Sequence, residues 1–203
     1  GQGDVKARLV IQRIEEMDLL EQPMVVVNVP GGAATIAPLD LAEANSIGLL
    51  AHSIGERWGK LDILVANAAI LGPISPIGHI KAKDFEAVMA INVTATWRLM
   101  RTTERLLHES DAGRAIIMSS GAAQTCKPFW GAYSASKAAV EALARTWAGE
   151  AQNTPLRVNS VDPGRTRPRM RAQAMPGEDP ETLPTAASVA EKIVPLAGPS
   201  IVE

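Results

Sequence analysis

The sequence predicts an α/β fold, doubly wound around a mainly parallel sheet. Three observations predict it. Short runs rich in Val and Ile alternate with longer, alanine-rich segments of helical period. The short runs are apolar throughout, the pattern of strands covered on both faces. The connections between them are short, as in strand–helix–strand units. With 203 residues and 46% hydrophobic content, the chain is sized for a single domain, 1–203, with a sizeable core.

The first 30 residues are the atypical part. Val5 to Glu21 can be drawn as a helix, but apolar positions such as Val5, Leu9, Val10 and Ile14 are poorly confined to one face. "MVVVNV" (24–29) and "ATIAPL" (34–39) read as strands, "LAEANSIGLLAHSIGERWG" (41–59) as a helix and "LDILVAN" (61–67) as the next strand. A long helix follows from Lys83 to Glu109. Phe85, Val88, Met89, Ile91, Leu99, Leu106 and Leu107 supply its apolar stripe, and Arg101, Glu104 and Arg105 its wet face. "RAIIMSS" (114–120) is a strand, 131–152 a helix and "LRVNSV" (156–161) the last visible strand. Residues 165–187 hold four prolines and several charges and read as a mobile loop region.

The bulk numbers exclude several functions. A net charge of −2 and a pI near 6.0 give no whole-chain argument for nucleic acid or an anionic membrane as partner. Aromatic content of 3% argues against a base-stacking surface. No apolar stretch approaches the roughly 20 residues that span a bilayer, and "GQGDVKARLV" lacks the apolar core of a signal peptide. The one cysteine, Cys126, cannot form an internal disulfide, and nothing around it resembles a metal-ligand cluster. The expectation is a cytoplasmic protein without a metal site. His52, His79 and His108 have no Ser or Cys at a motif spacing and read as structural or solvent-facing.

The chemistry-bearing residues fall at the strand ends. Asn67-Ala68-Ala69 closes one strand, Ser119-Ser120 the next, and Asp162-Pro163-Gly164 the last; Asn92 lies inside the long helix. Ligands of open α/β sheets bind beyond the carboxyl ends of the strands, so these groups should share one crevice. "Y-S-A-S-K" (133–137) holds the single tyrosine of the chain, with Lys137 four residues later. On a helix that spacing puts phenol and ammonium on one face, one turn apart. Singly, each residue has a bland reading: Ser120 as a strand-end hydrogen bonder, Asn92 as a helix surface or kink residue, Asn67 as a turn former. Jointly, their offsets point to an enzyme-type site.

This set resembles the short-chain dehydrogenase/reductase family, whose pattern is N-N-A-G, then Asn, Ser, Y-x-x-x-K and P-G, over about Gly31 to Gly198. The resemblance implies a Rossmann-like fold and a hydride transfer between NAD or NADP and a small-molecule carbonyl or secondary alcohol. It implies Tyr133 as acid–base, Lys137 as its partner, Ser120 as the donor that orients the carbonyl and Asn92 as the fourth member, where the long helix opens to a water, linking Lys137 to solvent. It also implies cofactor contacts from Asp40 and Leu41, from Asn67, Ala68 and Ala69, from Tyr133 and Lys137, and from Pro163, Gly164 and Thr166. A homodimer or homotetramer is implied through the helices at 83–109 and 131–152. Electrostatics gives the tyrosine role a physical basis. A free phenol has a pKa near 10, too high for a base at neutral pH. An ammonium about 4 Å away in a surface cleft lowers it by roughly three pH units. A hydrolase built on Ser120 is disfavoured, because no histidine is placed to activate it.

The chain departs from the family pattern in several places. The opening strand and T-G-x-x-x-G-x-G, whose glycines meet a cofactor pyrophosphate, are absent. "GQG" (1–3) stands as a candidate for its last G-x-G. "VVVNVPGGAATIAP" leaves no room for a helix between the second and third strands, Ala69 replaces a glycine, and no further strand follows 156–161. The expectation is a domain incomplete at both ends, with weak cofactor binding, in which "RLVIQ" or "MVVVNV" stands in for the first strand. A non-catalytic relative acting as a binding or assembly partner is the alternative. "RTRPRMR" (165–171) reads as a solvated loop or, more sharply, as a steering patch for an anionic ligand.

Overall fold

The computed structural model describes residues 25–28, 39–166 and 169–198. A four-stranded sheet runs in the order β1 (Val25–Asn28), β2 (Ile63–Ala66), β3 (Arg114–Met118), β4 (Arg157–Val161). Strands β2, β3 and β4 are parallel, with Val65 beside Ile116 and Ile116 beside Asn159. Strand β1 is antiparallel to β2, Val26 facing Val65. "MVVVNV" thus takes the flank of β2, in reversed direction. "GQG", the 5–21 segment, "RLVIQ" and all of 34–39 except Leu39 lie outside the described residues.

Helix α1 (Ala44–Trp58) stops at Gly59, which takes the left-handed backbone (φ 71°) and donates its N–H to the Gly55 carbonyl at 2.8 Å. The long helix predicted over 83–109 is one rod in three parts: α2 (Ala82–Met89), a wide π turn (Ala90–Thr94) and α3 (Ala95–His108). After β3 come the short α4 (Ala122–Thr125) and the long α5 (Gly131–Glu150).

Helices α1, α3 and α5 bury Ile47, Ile54, Leu99, Leu107, Val140 and Trp147 against Leu64 and Ile117 of the sheet. Each such side chain contributes about 1.5–3 kcal/mol by leaving water. All five residues of β3 are buried, as a strand covered on both faces requires. Phe85 departs from the predicted stripe: it is 41% exposed, so the buried face of the rod begins at Val88.

The segment 165–187 also differs from expectation. It contains α6 (Arg169–Ala174) and a 3-10 turn (Pro180–Thr182), and it leads into α7 (Ala186–Ile193). Two contacts shape it. Glu178 accepts a fork of hydrogen bonds from Arg171, at 2.5 and 2.8 Å. The Thr185 hydroxyl caps α7 by accepting from the Ser188 N–H at 3.2 Å.

Candidate active site

Helix α5 carries Tyr133 and Lys137 on one face, and both reach the end of β3. Ser120, the second residue beyond that strand, acts on the Tyr133 hydroxyl as a hydrogen-bonding neighbour that favours the ionised phenol. Tyr133 is 8% exposed, and its ring meets the Trp130 ring edge-on, with centroids 6.0 Å apart. The Lys137 ammonium donates to the Met118 carbonyl at 2.7 Å and sits 5.9 Å from the centre of the Tyr133 ring.

This geometry corrects the electrostatic expectation. The phenol is not pushed down by the lysine. Burial raises its pKa above 10, the hydrogen bond from Ser120 opposes that rise, and the Asp162 carboxylate adds to it. Lys137 is spent on a strand carbonyl, and its own pKa is lowered from 10.5 to about 8 by burial. The i, i+4 spacing sets the face that the two side chains share, not the distance between their polar ends.

Asn92 sits inside the π turn and is 1% exposed. Its carboxamide pairs with one backbone unit, accepting from Ile70 N–H at 2.8 Å and donating to Ile70 C=O at 2.9 Å. It also donates to the Ser136 hydroxyl at 2.9 Å, and Ser136 in turn donates to the Tyr133 carbonyl at 2.8 Å. Asn92 is therefore not a surface residue, and it sits where the helix departs from regular winding. Its side chain reaches the loop after β2 and the tyrosine helix.

Of the residues expected to hold a cofactor, Asn67, Ala68 and Ala69 follow β2 and Pro163, Gly164 and Thr166 follow β4. Asn67 is exposed just past β2, with Ala68 and Ala69 half-buried beside it. Asp40 is exposed ahead of α1, and its carboxylate accepts from the Ala42 N–H at 2.8 Å. Leu41 is 1% exposed and its side chain belongs to the core. Past β4, Gly164 takes a left-handed turn (φ 69°) in open space and donates its N–H to Asp162 at 2.9 Å. Thr166 donates to the Gly164 carbonyl at 3.4 Å. A cavity of about 410 Å³ opens beside Pro163 and Gly164, lined further by Leu183, Val189 and Lys192. Tyr133, Ser120 and Lys137 do not line it, so it adjoins the site without containing the reacting groups.

Three participants escaped the sequence reading. Asp162 was visible only as the residue ahead of P-G, yet its carboxylate lies 3.1 Å from where a side chain on Gly121 would begin and acts on Tyr133. Ser136 lies within Y-S-A-S-K, where its position between Tyr133 and Lys137 hid its link to Asn92. Glu141 accepts from the Ser119 hydroxyl at 2.7 Å, a contact across 22 residues that local spacing could not reveal. Of the four arginines in 165–171, Arg171 is forked onto Glu178 and Arg165 stands 3.7 Å from it. Arg167 lies outside the described residues. The exposed Cys126 pairs with no other cysteine.

Known proteins share both this sequence and this architecture. The sequence model of the family described as short chain dehydrogenase matches residues 6–179. The oxidoreductase YciK of Escherichia coli is 40% identical over 140 residues, 69% of this chain and 55% of that protein. Glucose 1-dehydrogenase of Gluconobacter oxydans is 39% identical over 137 residues, 67% of this chain and 51% of that protein. The chain thus spans about half the length of these curated relatives. Among solved structures, a short chain dehydrogenase of Salmonella enterica serovar Typhi superposes with a TM-score of 0.76 at 38% identity, over 79% of this chain and 67% of that one. One from Shigella flexneri, complexed with NADP, gives 0.75 at 38% identity with the same coverage. A match across most of the sequence and the shared parallel sheet lead to one conclusion: the chain belongs to the short chain dehydrogenase family.

Proposed function

We propose that this protein is an oxidoreductase that moves hydride between a nicotinamide cofactor, NAD or NADP, and a carbonyl or secondary alcohol, with Tyr133 as the acid–base. The observation that carries the proposal is the convergence at the end of β3 of the single tyrosine, of Ser120, which acts on its hydroxyl, and of Lys137, whose ammonium lies 5.9 Å from the tyrosine ring. The relatives support the cofactor assignment, since solved family structures from Shigella flexneri and Escherichia coli are complexed with NADP and NADPH.

The site accommodates the nicotinamide end of such a cofactor. Lys137 uses one of its three donors on Met118, leaving donors for ribose hydroxyls. Gly164 presents backbone with open space where a side chain would stand. Asn67, Ala68 and Ala69 would line the ribose of the adenosine half, with Asp40 toward its base, Leu41 contributing backbone only, and Pro163, Gly164 and Thr166 holding the carboxamide. When bound, the cofactor supplies or takes the hydride. Tyr133 does the proton work. Because its pKa lies above 10, the phenol is protonated at neutral pH, which suits a donor to an oxygen gaining negative charge. Ser120 holds that oxygen as the charge develops.

A homo-oligomer is part of this proposal, supported by Phe85 and Trp97 on the 82–108 rod, exposed at 41% and 43%. A cytoplasmic setting and one domain over 1–203 go with it; no described helix is long and apolar enough to cross a membrane.

The test is oxidation of NADH and NADPH by the purified chain across a panel of ketones and aldehydes. Activity is expected, and Tyr133→Phe should lower kcat at least about 100-fold, the worth of a positioned general acid. If the wild-type chain oxidises neither cofactor with any carbonyl, the binding or assembly role displaces the enzymatic one.

A further inference from the structure

Three consecutive residues at the end of β3 are each met by a different residue of α5. Lys137 donates to the Met118 carbonyl, Glu141 accepts from the Ser119 hydroxyl, and Tyr133 pairs with Ser120. The helix residues are spaced by four, so they form one stripe along the helix. Two of these contacts belong to the site already described. The third involves a carboxylate with no part in the proposed chemistry.

We propose that Glu141 is a positioning residue: by gripping the Ser119 hydroxyl it sets where the next residue, Ser120, meets Tyr133. The proposal rests on the functional reading above for the importance of the Ser120–Tyr133 pair. Glu141 is 8% exposed, and an ionised carboxylate buried to that degree costs stability unless it is well partnered. Its two oxygens are both used, one on Ser119 at 2.7 Å and the other on the exposed Arg145 at 2.7 Å. An aliphatic residue would pack α5 against β3 equally well, but it would not fix direction. The hydrogen bond does, because Ser119 is already held from the other side: its N–H donates to the Val161 carbonyl of β4 at 2.7 Å. Pinned through its backbone to β4 and its side chain to α5, Ser119 leaves Ser120 little freedom to swing. One helix thereby carries the acid–base and also holds the strand that presents its partner.

The single tyrosine makes the test direct, because the phenolate absorbance of the chain reports Tyr133 alone. Among the described residues, the charged groups beside Tyr133 are Lys137 on its own helix and Asp162 beyond β4, and the variants alter neither. Ser120→Ala gives the reference: losing its hydrogen bond should raise the phenol's titration midpoint by about 0.5–1 pH unit. Glu141→Ala should move the midpoint upward too. Simple removal of a negative charge would move it downward, so the sign separates positioning from electrostatics. Glu141→Gln keeps an oxygen for Ser119 and should restore the wild-type midpoint. Ser119→Ala, a small change, repeats the experiment if Glu141→Ala does not fold. A midpoint that stays put or falls in folded Glu141→Ala, or stays put in Ser119→Ala, overturns the proposal. The titration needs no turnover: an inactive chain whose midpoint rises keeps the positioning role and sinks the functional reading alone. An active chain with an unmoved midpoint does the reverse.

Discussion

Tyr133 and Lys137 were legible as a pair from their spacing, yet the sign of their electrostatics was not. Spacing fixes a shared helix face; burial and the final direction of a long side chain depend on residues far away in sequence. Here the distant residue is Met118, whose carbonyl takes the ammonium. Asp162 was similarly hidden, because its effect on Tyr133 arises across the ends of two strands. Two outcomes follow at this scale. Lys137→Met should abolish reductase activity while raising stability at pH 7 by about 1–3 kcal/mol. A shift from 10.5 to about 8 puts the cost of the buried ammonium near 3 kcal/mol, and the variant also loses the bond to Met118. Between pH 8 and 10.5 the unfolded chain holds more protons at this site than the folded chain. The wild type therefore recovers as pH rises through that window, and the variant's advantage shrinks toward pH 10.5. Urea unfolding at pH 7 and pH 10 checks both the size and the trend. Asp162→Asn removes a charge that raises the phenol, so the tyrosine should titrate lower than in the wild type.

Secondary structure was the most legible level. The strands at 61–67, 114–120 and 156–161 and the helices at 41–59 and 131–152 are found within a few residues of their expected ends. Helical periodicity ran through 83–109 unbroken, since a π turn leaves almost no mark on sequence pattern; the opening at Asn92 came only from the family resemblance. That opening lets a buried carboxamide satisfy both backbone groups of Ile70 and reach Ser136. Asn92→Ala takes the amide away from the buried Ser136 hydroxyl and from the backbone of the partly exposed Ile70. It should cost about 2–4 kcal/mol in denaturant unfolding, with a fall in kcat because Ser136 is bonded to the Tyr133 carbonyl. A loss below about 1 kcal/mol would mean that water or a neighbour replaces the amide without cost. The 165–187 segment misled for the opposite reason. Its prolines and charges suggested a loop, whereas Arg171 and Glu178 close on each other around a short helix.

For the whole molecule, alternation of strands and helices carried the parallel order of β2, β3 and β4 and placed their carboxyl ends along one edge. The reversal of β1 was not legible, because an apolar tetrapeptide carries no information about direction. What the assembled sheet accomplishes is to bring Ser120, Asp162 and α5 together, so that the acid–base group is tuned by partners beyond the ends of two neighbouring strands. On the proposed function, this tuned phenol is the proton donor in carbonyl reduction. The most direct measurement follows the pH dependence of kcat/KM for ketone reduction beside the phenolate titration of the single tyrosine, in the wild type and in Asp162→Asn. The alkaline limb attributable to the phenol and the spectroscopic midpoint are expected to coincide, and both to move down together in the variant. A midpoint that moves while the kinetic limb stays in place would contradict that role.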